Sequence, residues 1–157
     1  MNVLFTAFCR TSAEQLLREN GCAGLFLPND KIADAKMLIG EISAKKYNYI
    51  FSFGQKPNIK DKVYIEKMAR NAEKCLETDF DCERLLDSFC RQQTDARISC
   101  NAGTSFCNRL YWNGLEHIRK NGLDVKMVFV HIPMRKNITD FGEFGRRVLA
   151  AIRNSIL

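Results

Sequence analysis

Short apolar segments alternate with helical patterns along this 157-residue chain. Helices are predicted where apolar residues recur at spacings of three and four. Strands that alternate with helices are typical of a mainly parallel sheet covered by helices on both faces. We therefore expect an α/β fold, a three-layer α/β/α sandwich. The predicted extended segments are rich in β-branched and aromatic residues and lie near residues 2–8, 24–28, 47–53, 62–66, 96–99 and 125–133.

One connection departs from this alternation. The segment at 62–66 follows that at 47–53 after a loop predicted from Gly54, Gln55 and Pro57. Parallel neighbours need a crossover of a dozen or more residues, and this connection is too short for a helix. We therefore expect one antiparallel excursion in the mainly parallel sheet.

The helix predicted after Asp30 has an apolar stripe that should face the sheet. Residues 71–78 show no clear pattern. The stripe consists of Ile32, Ala35, Ile39 and Ile42.

Length and composition favour one domain over residues 1–157, with 46% hydrophobic and 27% charged residues. No charged and apolar leader and no apolar run of membrane-spanning length stands in the sequence, so a cytoplasmic location without a membrane partner is expected. The net charge of +6 is dispersed, and no basic run or glycine-rich phosphate loop accompanies it. A nucleic-acid partner is not expected.

Seven cysteines stand in the chain, and their spacing matches neither a CxxC pair nor a zinc site. An odd number without a secretion leader favours free thiols in a reducing compartment. No metal or organic cofactor is indicated.

Cys107 is the cysteine whose position favours chemistry. A glycine turn at Gly103 precedes it, and a helix is predicted from about residue 104 to 121. A thiol in a first turn lies near unpaired N–H groups and the positive end of the helix dipole, which favour the thiolate. The same N–H groups could hold a developing oxyanion. The alternative is a small buried core residue, as free cysteines often are.

His131 is the histidine placed to act with Cys107. His117 lies ten residues further along the same helix, about 15 Å away at 1.5 Å per residue. His131 ends an apolar strand that Pro133 stops. In open α/β sheets functional groups collect beyond the carboxyl ends of strands, where the following helices begin. Both residues should therefore fall at one edge of the sheet, although strand-end histidines are often only packed or solvated.

Two segments resemble paired motifs of the pyroglutamyl peptidase I family, also called the pyrrolidone-carboxylate peptidases. Asn-Ala-Gly-Thr-Ser-Phe-Cys107-Asn is similar to the family's nucleophile segment, and Val-Phe-Val-His131-Ile-Pro to its base segment. The resemblance continues thinly at Thr-Ala-Phe8, Gly-Gln55 and Ala-Arg70. It implies a cysteine peptidase that removes N-terminal pyroglutamate, with Cys107 as nucleophile and His131 as general base.

The resemblance also implies the remaining site residues. A peptide or small acyl-amide is the expected substrate, and the family's assembly implies a homo-oligomer. The expected contacts with the substrate come from Phe8, Phe106, Gln55 and Arg70.

The third member of the family's triad is a glutamate that precedes a basic residue and an apolar strand, and it orients the histidine. Asp61, before Lys62 and the segment at 62–66, occupies the place that the sequence favours for this carboxylate. Glu66, at the other end of that segment, is the substitute candidate.

Two departures from the family pattern concern the substrate. Cys9, Arg10 and their neighbours replace a proline- and glycine-rich stretch after Phe8, and the segment after Arg70 is short. Three hypotheses therefore remain. The first is a hydrolase of this type, acting on pyroglutamyl or another small acyl group. The second is a degenerate relative with a binding or structural role, and the third is a flavodoxin-like binding domain.

Overall fold

A computed structural model describes all residues 1–157. It contains eight strands, five α-helices and one short 3-10 turn. The strands are β1 (Val3–Phe8), β2 (Leu25–Leu27), β3 (Tyr49–Lys56), β4 (Lys62–Glu66), β5 (Met68–Asn71), β6 (Lys74–Glu77), β7 (Asp95–Ser99) and β8 (Lys126–Pro133). The helices are α1 (Ser12–Glu19), α2 (Lys31–Ala44), α3 (Cys82–Arg91), α4 (Phe106–Lys120) and α5 (Phe141–Ser155).

Six strands form one sheet in the order β2-β1-β3-β8-β4-β7. Strands β2, β1, β3 and β8 pair in parallel, whereas β4 runs antiparallel to β8. β7 pairs in parallel with β4 and so shares its reversed direction. The predicted α/β fold with a mainly parallel sheet and an antiparallel excursion is confirmed, and the excursion includes β7 as well as β4.

Apolar side chains fill both faces of this sheet, because parallel strands are covered on both sides. One cluster joins residues such as Phe51 and Val130 to side chains of α1, α3 and α5. The second joins Met127 and Phe129 to side chains of α2 and α4. Alternate residues of β8 thus point to opposite helix layers, and His131 shares the α4 side with Phe129.

The loop predicted at residues 54–57 begins later than expected. β3 continues through Lys56, and Gly54 and Lys56 pair with His131 and Pro133 of β8. The glycine signal was misread because Gly54 serves the close approach of a helix side chain rather than a turn.

Two further expectations differ from the structure. Ile32 of the predicted α2 stripe is 63% exposed, and the buried residues of that helix are instead Asp34, Leu38 and Ile42. The segment without a clear pattern contains part of an antiparallel hairpin of β5 and β6. Its strands are short and mostly exposed, so they lack the apolar alternation that indicates a strand.

None of the helices combines the length and the hydrophobicity needed to cross a membrane. The single domain over residues 1–157, the cytoplasmic location and the homo-oligomer stay predictions.

Candidate active site

The candidate site lies on the α4 face of the sheet, where β3, β8 and β4 are neighbours. Gly54 of β3 pairs with His131 of β8. On the other side of β8, Tyr64 of β4 pairs with His131 and Glu66 pairs with Phe129. Because β4 runs antiparallel to β8, Glu66 lies two residue pairs deeper in the sheet than His131 and on the same face.

Glu66 and His131 are joined by a buried hydrogen bond. Their atoms Oε1 and Nδ1 lie 2.7 Å apart. Glu66 is fully buried, and His131 is only 4% exposed. A carboxylate at Nδ1 holds the imidazole in the tautomer that carries its proton there, and it fixes the ring orientation. Nε2 is thereby left as the nitrogen that can accept a proton.

Asp61 does not contact His131, which corrects the expectation that it orients the ring. Its two carboxylate oxygens accept hydrogen bonds from the Thr139 backbone N–H, at 2.7 Å, and from the Thr139 hydroxyl, at 2.6 Å. These bonds lower the pKa of Asp61. Asp61 lies at the start of β4, beside the segment that leads into α5, and its role here is to join these two segments.

A signal for Glu66 was present in the sequence. Glu66 precedes the basic Lys67 and then β5, so it also fits the pattern of a glutamate before a basic residue and a strand. Asp61 matches the pattern more closely, because the strand after Lys62 is apolar whereas β5 is short and partly exposed.

Cys107 is the second residue of α4, which begins at Phe106 after the N-cap residue Ser105. Its sulfur lies against the glycine of β3: a Cβ built on Gly54 would be 2.6 Å from Cys107 Sγ. The same Cβ would be 2.9 Å from the Phe129 ring, whose centroid is 4.9 Å from that of His131. The structure thus brings Cys107, His131 and Glu66 together, and leaves Asp61 out.

Burial raises the pKa of the Cys107 thiol to about 12, and the Glu66 carboxylate adds to this effect. The backbone N–H of Cys107 and the Lys56 ammonium lower the pKa, but by less. The start of α4 thus lowers the pKa of this thiol, as expected, but it offsets only part of the effect of burial. Desolvation disfavours the charged form more strongly than one helix turn stabilises it.

Lys56 is a site residue that sequence reasoning missed. Its Nζ lies 3.5 Å from Glu66 Oε1 and donates to the Asn101 carbonyl at 3.2 Å. The ammonium also lies over the Tyr64 ring, 4.8 Å from its centroid. Oε1 thus faces both His131 and Lys56, whereas Oε2 of Glu66 is buried without a hydrogen-bond partner.

Two further residues, both on α4, join that helix to the strands of the site. Tyr111 donates its buried hydroxyl proton to the Glu66 carbonyl at 2.9 Å. The Asn108 side chain forms two hydrogen bonds with the backbone of Arg70: Oδ1 accepts from the N–H at 2.9 Å, and Nδ2 donates to the carbonyl at 2.8 Å. Tyr111 lies four residues after Cys107, a spacing typical of one helix face, but no pattern in the sequence indicates its polar contact.

The four residues expected to contact substrate have different surroundings. Phe8 is 3% exposed and belongs to the apolar cluster under α4. Phe106 is 36% exposed, with Lys31 Nζ 5.4 Å from its ring centroid. Gln55 Oε1 accepts a hydrogen bond from the Ser12 N–H at 3.0 Å.

Arg70, besides its contacts with Asn108, donates from Nε to the Cys100 carbonyl at 3.4 Å. The substrate contacts of all four residues stay predictions. No group of three or more His, Cys, Asp or Glu side chains is arranged to hold a metal ion.

Comparison with known proteins gives this geometry a family context. The family model described as pyroglutamyl peptidase matches residues 82–143, a range that includes Cys107 and His131 but begins after Glu66. The pyrrolidone-carboxylate peptidase of a Thermoanaerobacter species is 37% identical over 51 residues. That of Caldanaerobacter subterraneus is 35% identical over the same length. Each match covers 32% of this chain and 25% of the relative.

Over residues 82–143 the chain is similar to the pyroglutamyl peptidases. The likeness in fold extends over nearly the whole chain. A pyrrolidone carboxyl peptidase from Fervidobacterium islandicum has a TM-score of 0.87 at 14% identity, covering 98% of this chain and 97% of that one. The enzyme from Thermococcus litoralis has a TM-score of 0.85 at 16% identity, covering 99% and 93%. At these identities the structures establish a shared fold.

Proposed function

We propose that this chain is a cysteine peptidase-like hydrolase that removes an N-terminal pyroglutamyl group, or a related small acyl group, from peptides. One observation carries the proposal: a thiol lies over Gly54, the β3 residue that pairs with His131, and Nδ1 of that histidine is bonded to the buried carboxylate of Glu66. Nucleophile, base and orienting carboxylate are the components of acyl transfer in cysteine peptidases.

Acylation begins from the neutral thiol. As Cys107 Sγ attacks the acyl carbonyl carbon, the thiol proton passes to His131 Nε2 and a C–S bond forms. The imidazolium is stabilised by the Glu66 carboxylate at Nδ1. The C–N bond then breaks, and His131 returns its proton to the leaving amine. A thioester on Cys107 and a shortened peptide with a free amino group result.

The first turn of α4 supplies the electrostatic part of this step. Arg109 N–H is bonded to the Ser105 carbonyl, so the N–H groups of residues 106–108 precede the helix's own ladder. They are donors available for the oxyanion that forms at the attacked carbonyl.

Deacylation uses the same groups in reverse. His131 takes a proton from water, the oxygen adds to the thioester carbonyl, and the C–S bond breaks. The acyl group leaves as a carboxylic acid, and Cys107 regains its proton.

A second candidate function is a binding protein that retains the fold without catalysis. The raised pKa of Cys107 favours it, because a thiol that never loses its proton to His131 has no nucleophilic form.

The test is release of a fluorogenic amine from a pyroglutamyl amide by the intact protein. Cys107→Ala and His131→Ala should each abolish release, while circular dichroism and the thermal midpoint remain close to those of the parent. Release that survives in Cys107→Ala would contradict the assignment. Absence of release from the parent, over a panel of small acyl amides, would favour the binding protein.

A further inference from the structure

The geometry points to a binding site for acidic peptide, in the polar cleft between the start of α4, the β5–β6 hairpin and the start of α2. We infer that this cleft receives the carboxylates of residues that follow the scissile bond. The ligand is thus the leaving part of the substrate in the proposed hydrolysis. The inference rests on that proposed function only for the catalytic step, because binding can be measured without cleavage.

The cleft has a volume of about 690 Å³ and is lined almost entirely by polar side chains. Three of them are cations from different elements: Lys31 of α2, Arg70 of β5 and Arg109 of α4. None of the three forms a salt bridge within the chain. The one carboxylate in the lining, Glu116, is paired with Lys120 at 3.1 Å. The cleft therefore carries uncompensated positive charge.

The cleft begins beside the nucleophile. Ser105 and Asn108, which flank the first turn containing Cys107, are both among its lining residues. Asn108 also holds the backbone of Arg70 by two hydrogen bonds. The guanidinium of Arg70 is thus carried by a strand that is tied directly to the helix of Cys107. A peptide whose scissile carbonyl lies at Cys107 is therefore next to residues that line this cleft.

A peptide fits this lining better than a nucleic acid does. Single strands are bound by cations together with exposed aromatic rings on which bases stack. The aromatic residue in the lining, Trp112, is only 8% exposed. Amide side chains of Asn71, Asn101 and Asn113 instead offer donors and acceptors to a peptide backbone.

Trp112 provides the readout, because it is the only tryptophan of the chain and it lines the cleft. Its fluorescence would be titrated with acetyl-tetraglutamate amide, a peptide without a pyroglutamyl group. The glutamine and lysine peptides of the same length serve as comparisons. We expect the glutamate peptide to bind at least about tenfold tighter than the glutamine peptide and to weaken with added salt.

Arg70→Gln and Arg109→Gln should each weaken binding of the glutamate peptide, and the double variant should lose the preference over the glutamine peptide. Lys31→Gln tests the contribution of the third cation of the lining, which lies on α2. Lys36→Gln is the matched control, because it removes an exposed lysine from the same helix outside the lining. This control should leave the affinity within about twofold.

Equal binding of the glutamate and glutamine peptides would overturn the inference. So would equal weakening by Lys36→Gln, or tighter binding of a single-stranded oligonucleotide of matching charge. Millimolar inorganic phosphate would also be used to displace the bound peptide. If it displaced the peptide from the Arg70→Gln, Arg109→Gln double variant as efficiently as from the parent protein, the peptide would be bound somewhere other than this cleft.

A second experiment compares the rates of hydrolysis of two pyroglutamyl peptides, one with Glu and one with Gln after the scissile bond. Arg109→Gln should lose activity on the glutamate peptide selectively. If neither peptide is cleaved but the glutamate peptide still binds, the proposed function fails while the binding site stands.

Discussion

Cys107 Sγ occupies the space that a side chain on Gly54 would fill, with 2.6 Å between the sulfur and a Cβ built at that glycine. Real Cβ atoms essentially never approach another atom so closely. The absence of a side chain on β3 is therefore what lets the first turn of α4 bring its thiol down onto the sheet, next to the strand of His131.

Gly54→Ala should displace the Cys107 sulfur and the Phe129 ring, because both lie within 3.0 Å of the added methyl group. We expect overpacking to cost about 1–3 kcal/mol of unfolding free energy and hydrolysis to fall by about 10²-fold. Urea unfolding and amine release measure the two effects. Gly40→Ala is the matched control, since nothing lies within 4 Å of its added Cβ. It should be neutral or stabilising.

The orienting carboxylate is tested by a pair of isosteric changes. Glu66→Gln should lower kcat roughly 10²–10⁴-fold, because an amide does not stabilise the imidazolium at His131 Nδ1. Asp61→Asn should leave kcat unchanged, and its lost charge-assisted bonds to Thr139 should cost about 1–2 kcal/mol of stability. The measurements are steady-state kinetics and urea unfolding of both variants. A large loss of kcat in Asp61→Asn alone would contradict the assignment of Glu66.

The raised pKa of Cys107 predicts slow alkylation at neutral pH. Because only the thiolate reacts, the rate at Cys107 should rise about tenfold per pH unit toward a pKa of about 12. Iodoacetamide labelling resolved by peptide mass spectrometry separates Cys107 from the exposed Cys75, Cys90 and Cys100. Lys56→Met should slow the reaction further, since the ammonium favours the thiolate. Fast labelling near pH 6 would show that the thiolate already exists in the free protein.

Tyr111→Phe tests the link between α4 and the strand of Glu66. The change leaves the Glu66 carbonyl without the donor now at 2.9 Å. An unsatisfied buried acceptor should cost about 1–3 kcal/mol of unfolding free energy. Catalysis should fall as well, because Glu66 and Cys107 are held on the two elements that this bond joins. Unchanged stability in urea would mean that water or another group replaces the hydroxyl.

Asp34 offers a stability prediction with a defined pH dependence. It is 2% exposed, and neither carboxylate oxygen has a hydrogen-bond partner. Burial raises its pKa above 3.8. The folded state therefore binds the proton more tightly than the unfolded state, and Asp34 lowers stability as pH rises through its folded pKa.

Asp34→Ala should therefore stabilise the protein by about 1–3 kcal/mol near neutral pH, with the gain shrinking as pH falls toward 3.8. Thermal unfolding of both proteins across this range measures the difference. Destabilisation by Asp34→Ala at neutral pH would indicate that the carboxylate has a favourable partner.

The local pattern of the sequence was sufficient to predict much of this fold. Helical periodicity located α4, and the apolar run ending at Pro133 located β8, because each depends on residues close in the chain. The order of strands and helices was likewise enough to predict the α/β layers and the reversed β4. The same local reading favoured Cys107 and His131 as partners.

Tertiary structure alone decided which carboxylate meets His131 and how strongly burial opposes the Cys107 thiolate. Glu66 reaches the imidazole because antiparallel pairing of β4 with β8 sets it opposite Phe129, a register that no local pattern encodes. Asp61 is held instead by Thr139, 78 residues away along the chain. The Cys107 pKa follows from burial against the sheet, and burial depends on what the rest of the chain brings to that place.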